Sequence, residues 1–500
     1  MFARSLVASA LGALALFGLT GGGEAPPACI APADVDRIVG DALRDSGVPG
    51  ASVAIVCGDR IVYAQGYGLR DVAKRSPVDA NTIFRFGSVT KQFVAAATVM
   101  LADDGKLSLD DRVSRWYPAA NSAGEISVAD LLNQVSGYRD YYPLDYVDLE
   151  MARPITEDGI IARYGAYPLT APPRTRWEYS NTNYTLAGRI VERTSGALLQ
   201  AFLRKRVFAP LGMTRTAFDE PPRADPDRAT GYNSFFGEPP HKDAFEAPKW
   251  LNGAGALAGT ANDLARWDAG LMRHTVLSAD AFRKMTTERM LPGGMHTGYG
   301  FGFDVTKLSG HRIVSHGGAV IGFATANVMA PDDGMGVVIV MNTYEAPAGT
   351  IAFRLLRRML AHDQPAALPS SPGPSPSFPA PSPAPPAAST PGADGPAGVI
   401  RAWIPRLQTG DYDVSQMTPD FRTLMNRTNA ERARAVLAPL GPVRTVEFRG
   451  TFPRGGMLVS IARVVFASRA FQAILYQIPD GRVAELFLMP ELPSAGGSAR

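Results

Sequence analysis

Two apolar patterns alternate along the chain. Residues 51–71, ASVAIVCGDRIVYAQGYGLRD, hold two β-branched runs separated by Gly58-Asp59, which predicts a hairpin. Residues 323–343, FATANVMAPDDGMGVVIVMNT, repeat the pattern with Asp332-Asp333-Gly334 at the turn. Between them the spacing is mostly helical. Strands near both ends of a unit with helices between predict one antiparallel sheet assembled from both ends, carrying a helical insertion, over residues 29–362. Within it, the run QFVAAATVML after Lys91 has no polar stripe, which marks a helix buried on every side.

The pattern then breaks. Twelve prolines fall between Pro365 and Pro396, with Ala, Ser and Gly filling in. Such a tract buries no core, so residues 363–397 are expected to form a semi-extended linker. A second unit is expected over 398–500. Thr418-Pro419 resembles a helix cap followed by a first-turn proline. Three alternating runs follow, the last split at Pro479-Asp480-Gly481, which predicts helices on a curved antiparallel sheet. At the other end, Arg4 and the apolar run Leu6–Leu19 predict a cleaved export signal within residues 1–28 and a periplasmic or extracellular product. No other stretch has the length and apolarity of a membrane span.

Composition narrows the class. The 500 residues are 46% apolar and 19% charged, enough for a core, and the length argues for more than one unit. A net charge of +3 gives no clustered basic face for nucleic acid. The only cysteines are Cys29 and Cys57. In an oxidising compartment they either pair or leave Cys57 as a buried thiol at a strand end; sequence does not decide between these.

Candidate chemistry begins at the mouth of the apolar helix. Ser88 and Lys91 stand three residues apart and share a helical face. The helix N-terminus offers free N–H groups, and a lysine one turn inside is desolvated, which disfavours its ammonium form and can activate a hydroxyl. Tyr179-Ser180-Asn181 follows a proline-rich loop; Tyr179 is placed to share a proton with Lys91, and Asn181 to bind a substrate amide. His316-Gly317-Gly318 lies in a β-like run whose glycines permit close backbone approach, with His316 lining the pocket as a donor. The backbone N–H groups of Ser88 and Ala319 are candidates for an oxyanion hole.

The ordered set Ser88-Val-Thr-Lys91, Tyr179-Ser-Asn181 and His316-Gly-Gly318 resembles the serine β-lactamase and penicillin-binding-protein family, nearest its class C-like hydrolases. These include esterases, D-aminopeptidases and carboxypeptidases. TIFRFGSVTKQF, PLGMTRTAF, GALAGTANDLARW and YGFGF also resemble that branch, and the likeness runs over about residues 35–350. It implies an α+β fold with an antiparallel sheet flanked by helices and a helical lobe. It also implies Ser88 as the acylated nucleophile, Lys91 and Tyr179 as general base and acid, and Asn181 as a substrate-positioning group. No cofactor or metal is implied, and the partner is a small-molecule or peptide substrate; the oligomeric state stays open. His316 stands where relatives carry the lysine of K-T-G. Being mostly neutral near pH 7, it holds a substrate carboxylate less firmly, which favours ester or peptide chemistry over β-lactam hydrolysis. Asn133-Gln134-Val135 replaces a His-Thr pair usual before the Ser-Gly of the cleft loop. The C-terminal unit resembles small cystatin-like or nuclear-transport-factor-like domains.

Other classes compete with this reading. A catalytically silent binder of peptidoglycan peptides would use the same cleft. The lack of any G-x-S-x-G elbow weighs against an α/β-hydrolase, and the lack of H-E-x-x-H or C-x-x-C weighs against a metalloenzyme.

Overall fold

The computed structural model describes residues 29–362 and 395–492, apart from 221, 223 and 345. The expected export signal and residues 363–394 of the expected linker lie outside the described residues.

The strands Gly50–Cys57, Arg60–Asp71, Ser76–Pro77, Asp304–Leu308, His311–Val320, Phe323–Ala330 and Met335–Met341 form one seven-stranded sheet. Gly50–Cys57 is an inner strand: it pairs antiparallel with Arg60–Asp71 on one side and Met335–Met341 on the other. Both ends of the unit therefore meet in one sheet. Gly50–Cys57 reads as a continuous apolar run because both its faces are buried. Val53 and Ile55 pack with Val35 and Val39 of the Pro32–Ser46 helix and with Leu355 and Met359 of the Ala348–His362 helix. Ala54 and Val56 face the larger core that holds Phe93, Trp267 and Leu264. The structure joins Cys29 to Cys57 in a disulfide with Cα atoms 6.3 Å apart, tying the start of the described chain to the end of the Gly50–Cys57 strand.

The apolar helix is Thr90–Asp103, and every residue from Thr90 to Leu101 is buried. It runs between the sheet and the helical lobe, packed on the Asn181–Ser195 helix and the Asn252–Gly255 turn. That position explains the missing polar stripe: no side of the helix meets water.

In the C-terminal unit the helices Gly395–Thr409, Pro419–Leu424 and Arg427–Leu437 accompany a four-stranded antiparallel meander of Thr445–Arg454, Met457–Val465, Ala470–Gln477 and Val483–Pro490. Its first helix starts inside the segment expected as linker. Thr418 caps the second helix by accepting from the Phe421 amide, with Pro419 in the first turn. The two units share an apolar seam: Leu144, Tyr146, Phe235 and Phe236 join the core of the C-terminal sheet, and Phe235 stacks on Phe487 at 4.5 Å. Among the described residues no helix is long and apolar enough to cross a membrane.

Candidate active site

Ser88 sits in a single 3-10 turn, Gly87–Val89, that leads into the Thr90–Asp103 helix. Gly87 adopts φ +55°, and a Cβ there would fall 2.8 Å from the Ala319 amide nitrogen. A Cβ on Gly318 would lie 1.9 Å from the Phe86 carbonyl oxygen and 3.3 Å from the Ser88 nitrogen. Bare backbone at both positions lets the His311–Val320 strand close onto the serine turn, which brings the Ser88 and Ala319 amides together. Gly317 differs: nothing lies within 4 Å of its would-be Cβ.

Lys91 is fully buried. Its Nζ lies 3.0 Å from Ser88 Oγ, 2.7 Å from Asn181 Oδ1 and 2.7 Å from the Ala254 carbonyl oxygen. Burial holds its pKa well below the usual lysine value; Asp140 pulls it up and Arg454 pushes it further down. The neutral amine has two hydrogens and one lone pair. Two of its three neighbours are carbonyl oxygens, which only accept. Both hydrogens are thereby claimed by Asn181 and Ala254, and the lone pair is left facing the Ser88 hydroxyl.

Tyr179 hydrogen-bonds to Ser88, and burial raises its pKa, so the phenol keeps its proton. Its ring centroid is 4.8 Å from Lys91 Nζ. The expected proton sharing between Tyr179 and Lys91 is therefore indirect: the three contacts of Lys91 are used elsewhere, and the two groups meet through the Ser88 oxygen.

Both side chains expected to contact substrate have partners within the chain. Asn181 Oδ1 receives Lys91, while its Nδ2 donates to Asp140 Oδ1 at 3.0 Å and the Tyr142 carbonyl at 3.3 Å. His316 is held likewise. Its Nδ1 lies 2.6 Å from the Gly317 carbonyl, and its Nε2 is 2.9 Å from the Tyr299 hydroxyl. Burial, with the Lys91 charge second, holds the imidazole pKa down to about 3. A neutral ring beside a carbonyl must donate through Nδ1–H, so Nε2 accepts from Tyr299. Both ring nitrogens are committed, because the Tyr299 hydroxyl and the strand's own carbonyl supply the partners.

Several contacts of the site are not readable from the sequence. Gln134, at φ +61°, accepts the Ser180 amide at 3.0 Å on Oε1 and the Glu178 amide at 3.0 Å on its carbonyl, pinning the turn that carries Tyr179. Asp140, five residues beyond the quoted Asn133-Gln134-Val135, takes the Asn181 backbone amide at 2.9 Å. Val135, Trp177, Leu291 and Tyr299 form an apolar wall against Tyr179, with Trp177 and Tyr299 ring centroids 5.8 Å apart. Trp177 and Tyr299 lie within stretches that draw notice for their neighbours. Arg454, from the C-terminal sheet, has no local signal at all.

A beta-lactamase family model matches residues 35–360. The chain is 27% identical over 308 residues to a D-aminopeptidase of Gluconobacter oxydans, covering 60% of this chain and 56% of that relative. It is 26% identical over 330 residues to penicillin-binding protein 4* of Bacillus subtilis, covering 63% of this chain and 73% of the relative. The chain thus spans little more than half of the D-aminopeptidase. Its fold is similar to an octameric penicillin-binding protein homologue from Pyrococcus abyssi, with TM-score 0.59 and 21% identity over 92% of this chain and 99% of the other. It is also similar to a D-amino acid amidase from Ochrobactrum anthropi SV3, with TM-score 0.57 and 23% identity over 66% of this chain and 98% of the other. With the family match running through the serine turn, the tyrosine turn and the glycine strand alike, the chain belongs to the beta-lactamase family.

Proposed function

We propose that the chain is an exported serine hydrolase that cleaves an amide or peptide bond, with esters as secondary substrates, through an acyl-enzyme on Ser88. The observation that carries this reading is the Lys91 amine, whose two hydrogens are held by carbonyl oxygens while its lone pair meets the Ser88 hydroxyl. Ser88 Oγ attacks the acyl carbon as its proton passes to Lys91 Nζ. The carbonyl oxygen takes the developing charge and is received by the Ser88 and Ala319 amides. The carbon–nitrogen or carbon–oxygen bond then breaks. The leaving group takes the proton that Lys91 Nζ holds. Water attacks the ester on Ser88 and gives its proton to the same amine, which returns it to Ser88 Oγ as the carbon–oxygen bond breaks and the acid leaves.

The names carried by the relatives, D-aminopeptidase above all, favour peptides or amides of D-amino acids as the acyl donors. A neutral His316 puts no cation beside the serine, which weakens the case for donors held by a carboxylate. The apolar run at the N-terminus supports export.

Intact-mass measurement after incubation with D-aminoacyl amides, simple esters and β-lactams tests the reading. An acyl mass shift on the wild-type chain that vanishes in Ser88→Ala is expected, and the donor that produces it names the substrate class. Ligand binding across the panel with no mass shift and no turnover would overturn the reading in favour of a silent binding protein.

A further inference from the structure

The C-terminal unit reaches the base of the catalytic serine. Its strands Thr445–Arg454 and Met457–Val465 turn at Gly455-Gly456, both at positive φ. The tip of this hairpin rests on the loop after Gln134. Arg139 Nε donates to the Gly455 carbonyl at 2.9 Å, and a Cβ on Gly455 would fall 2.6 Å from Pro143 Cβ. Only bare backbone seats the tip so closely, and this seating sends the preceding side chain, Arg454, inward.

Arg454 is buried and each of its three guanidinium nitrogens has a partner. Nε donates to Asp140 Oδ2 at 3.3 Å, Nη1 to the Tyr476 hydroxyl at 2.9 Å and Nη2 to the Tyr142 carbonyl at 3.1 Å. Asp145 Oδ1 lies 3.6 Å from Nη1, and the Tyr179 ring centroid 5.8 Å from Cζ. The contacts continue inward without a break. The other oxygen of Asp140 holds both the backbone and the side-chain nitrogen of Asn181, and Asn181 Oδ1 receives Lys91 Nζ. We propose that Arg454 is a positioning residue for the hydrolytic site: by holding Asp140 it fixes Asn181, and through Asn181 it aims the Lys91 amine at Ser88. The C-terminal unit is then a working part of the site rather than an appendage.

This inference rests on the reading of Ser88 and Lys91 as nucleophile and base. A purely adhesive role predicts something different. An interface ion pair stabilises the docking of two units and leaves the amine alone. A positioning role moves the amine's proton affinity as well. The groups facing Lys91 are Ser88, Asn181 and the Ala254 carbonyl by contact, the Tyr179 and Tyr184 rings, the neutral His316, and the charges of Asp140 and Arg454. Removing Arg454 takes away a cation and bares Asp140, and both changes favour the ammonium form.

The test uses the full chain, with two readouts across pH. One is the rate at which a fluorophosphonate labels Ser88; the other is the titration midpoint of Lys91 followed by NMR of ¹⁵N-lysine-labelled protein. Arg454→Ala is expected to slow labelling at neutral pH by about 10²-fold, the scale of a misplaced reacting group. The acid limb of labelling and the NMR midpoint are both expected to move to higher pH. Arg454→Lys, which keeps a cation but loses the planar fork, is expected to leave the midpoint near wild type and still slow labelling. Asp140→Asn is expected to move the midpoint the opposite way from Arg454→Ala. An Arg454→Ala chain with lowered melting temperature but wild-type labelling and midpoint overturns the proposal. If that variant does not fold, a folded Arg454→Lys with wild-type labelling overturns it equally, and one with slowed labelling supports it. A wild-type chain that never labels defeats the nucleophile reading instead. The NMR midpoints then still decide whether Arg454 bears on Lys91.

Discussion

Lys91 Nζ, on a fully buried side chain, stands 2.7 Å from the amide oxygen of Asn181. The acceptor is neutral, so it orients the amine while favouring its charged form far less than a carboxylate would. Replacing that oxygen by a carboxylate would change both. Asn181→Asp is expected to stabilise the ammonium and to carry the acid limb of Ser88 labelling to higher pH. At neutral pH labelling should fall by about 10²-fold, within the range of a lost general base. A pH–rate profile for the variant that overlays wild type would show that Asn181 does not govern the amine.

The wild-type profile carries its own expectation. On the proposed mechanism Lys91 acts as base only when unprotonated, so the rate is low below its pKa and rises through it. Burial places that pKa well below the ordinary 10.5. Labelling of Ser88 should therefore reach its plateau well short of the pH at which an exposed lysine loses its proton. A limb centred near the ordinary lysine value would mean that another group takes the serine proton.

Gly317 and Gly318 make a paired test of the glycine strand. A methyl group at Gly318 meets the Phe86 carbonyl at 1.9 Å, while one at Gly317 meets nothing within 4 Å. Gly318→Ala must push the strand off the serine turn and is expected to cost about 1–3 kcal/mol, the usual range for overpacking. Gly317→Ala should melt like wild type. Thermal unfolding of the two variants measures the difference, and equal melting temperatures would mean the strand does not close on the turn as described.

The disulfide makes a fourth expectation. Cys29 and Cys57 are separated by 28 residues, and closing a loop of that size is worth roughly 3 kcal/mol by chain-entropy arguments. Cys29→Ser should lower the unfolding free energy on that scale, and reductant should lower it in wild type but not in the variant. Identical denaturant midpoints with and without reductant would show that the bond is absent in solution.

What the sequence made legible follows from range. The hairpins at Gly58-Asp59 and Asp332-Asp333-Gly334, the buried helix after Lys91 and the Thr418 cap are written in residues a few positions apart, where periodicity and turn chemistry act. The pair Ser88 and Lys91 is legible for the same reason. Asn181 and His316 were legible as members of the site but not in their orientation, which is set by partners far along the chain: Asp140 for one and Tyr299 for the other. Asp140 lies five residues past Asn133-Gln134-Val135, and nothing near it shows that its carboxylate points at Asn181. Arg454 was beyond reach. Its contact with Asp140 spans 314 residues and two folding units, and no local pattern encodes such a meeting.

His316 closes the set, because its two committed nitrogens make a pH effect with a definite sign. In the folded chain the imidazole stays neutral down to about pH 3, whereas an unfolded histidine takes up a proton near 6.5. Between those values the unfolded state binds the extra proton, so acidification favours unfolding. The stability lost from this one group is about 1.4 kcal/mol per pH unit below 6.5. His316→Gln has no such proton to take up. Its unfolding free energy should fall less steeply than that of wild type between pH 6.5 and 4.5, and the two slopes should coincide above pH 7.5. The imidazole resonances of His316 should stay those of the neutral ring over the same interval. Parallel stability curves, or a His316 signal that titrates near pH 6, would mean that the ring is open to solvent and free to meet a substrate carboxylate after all.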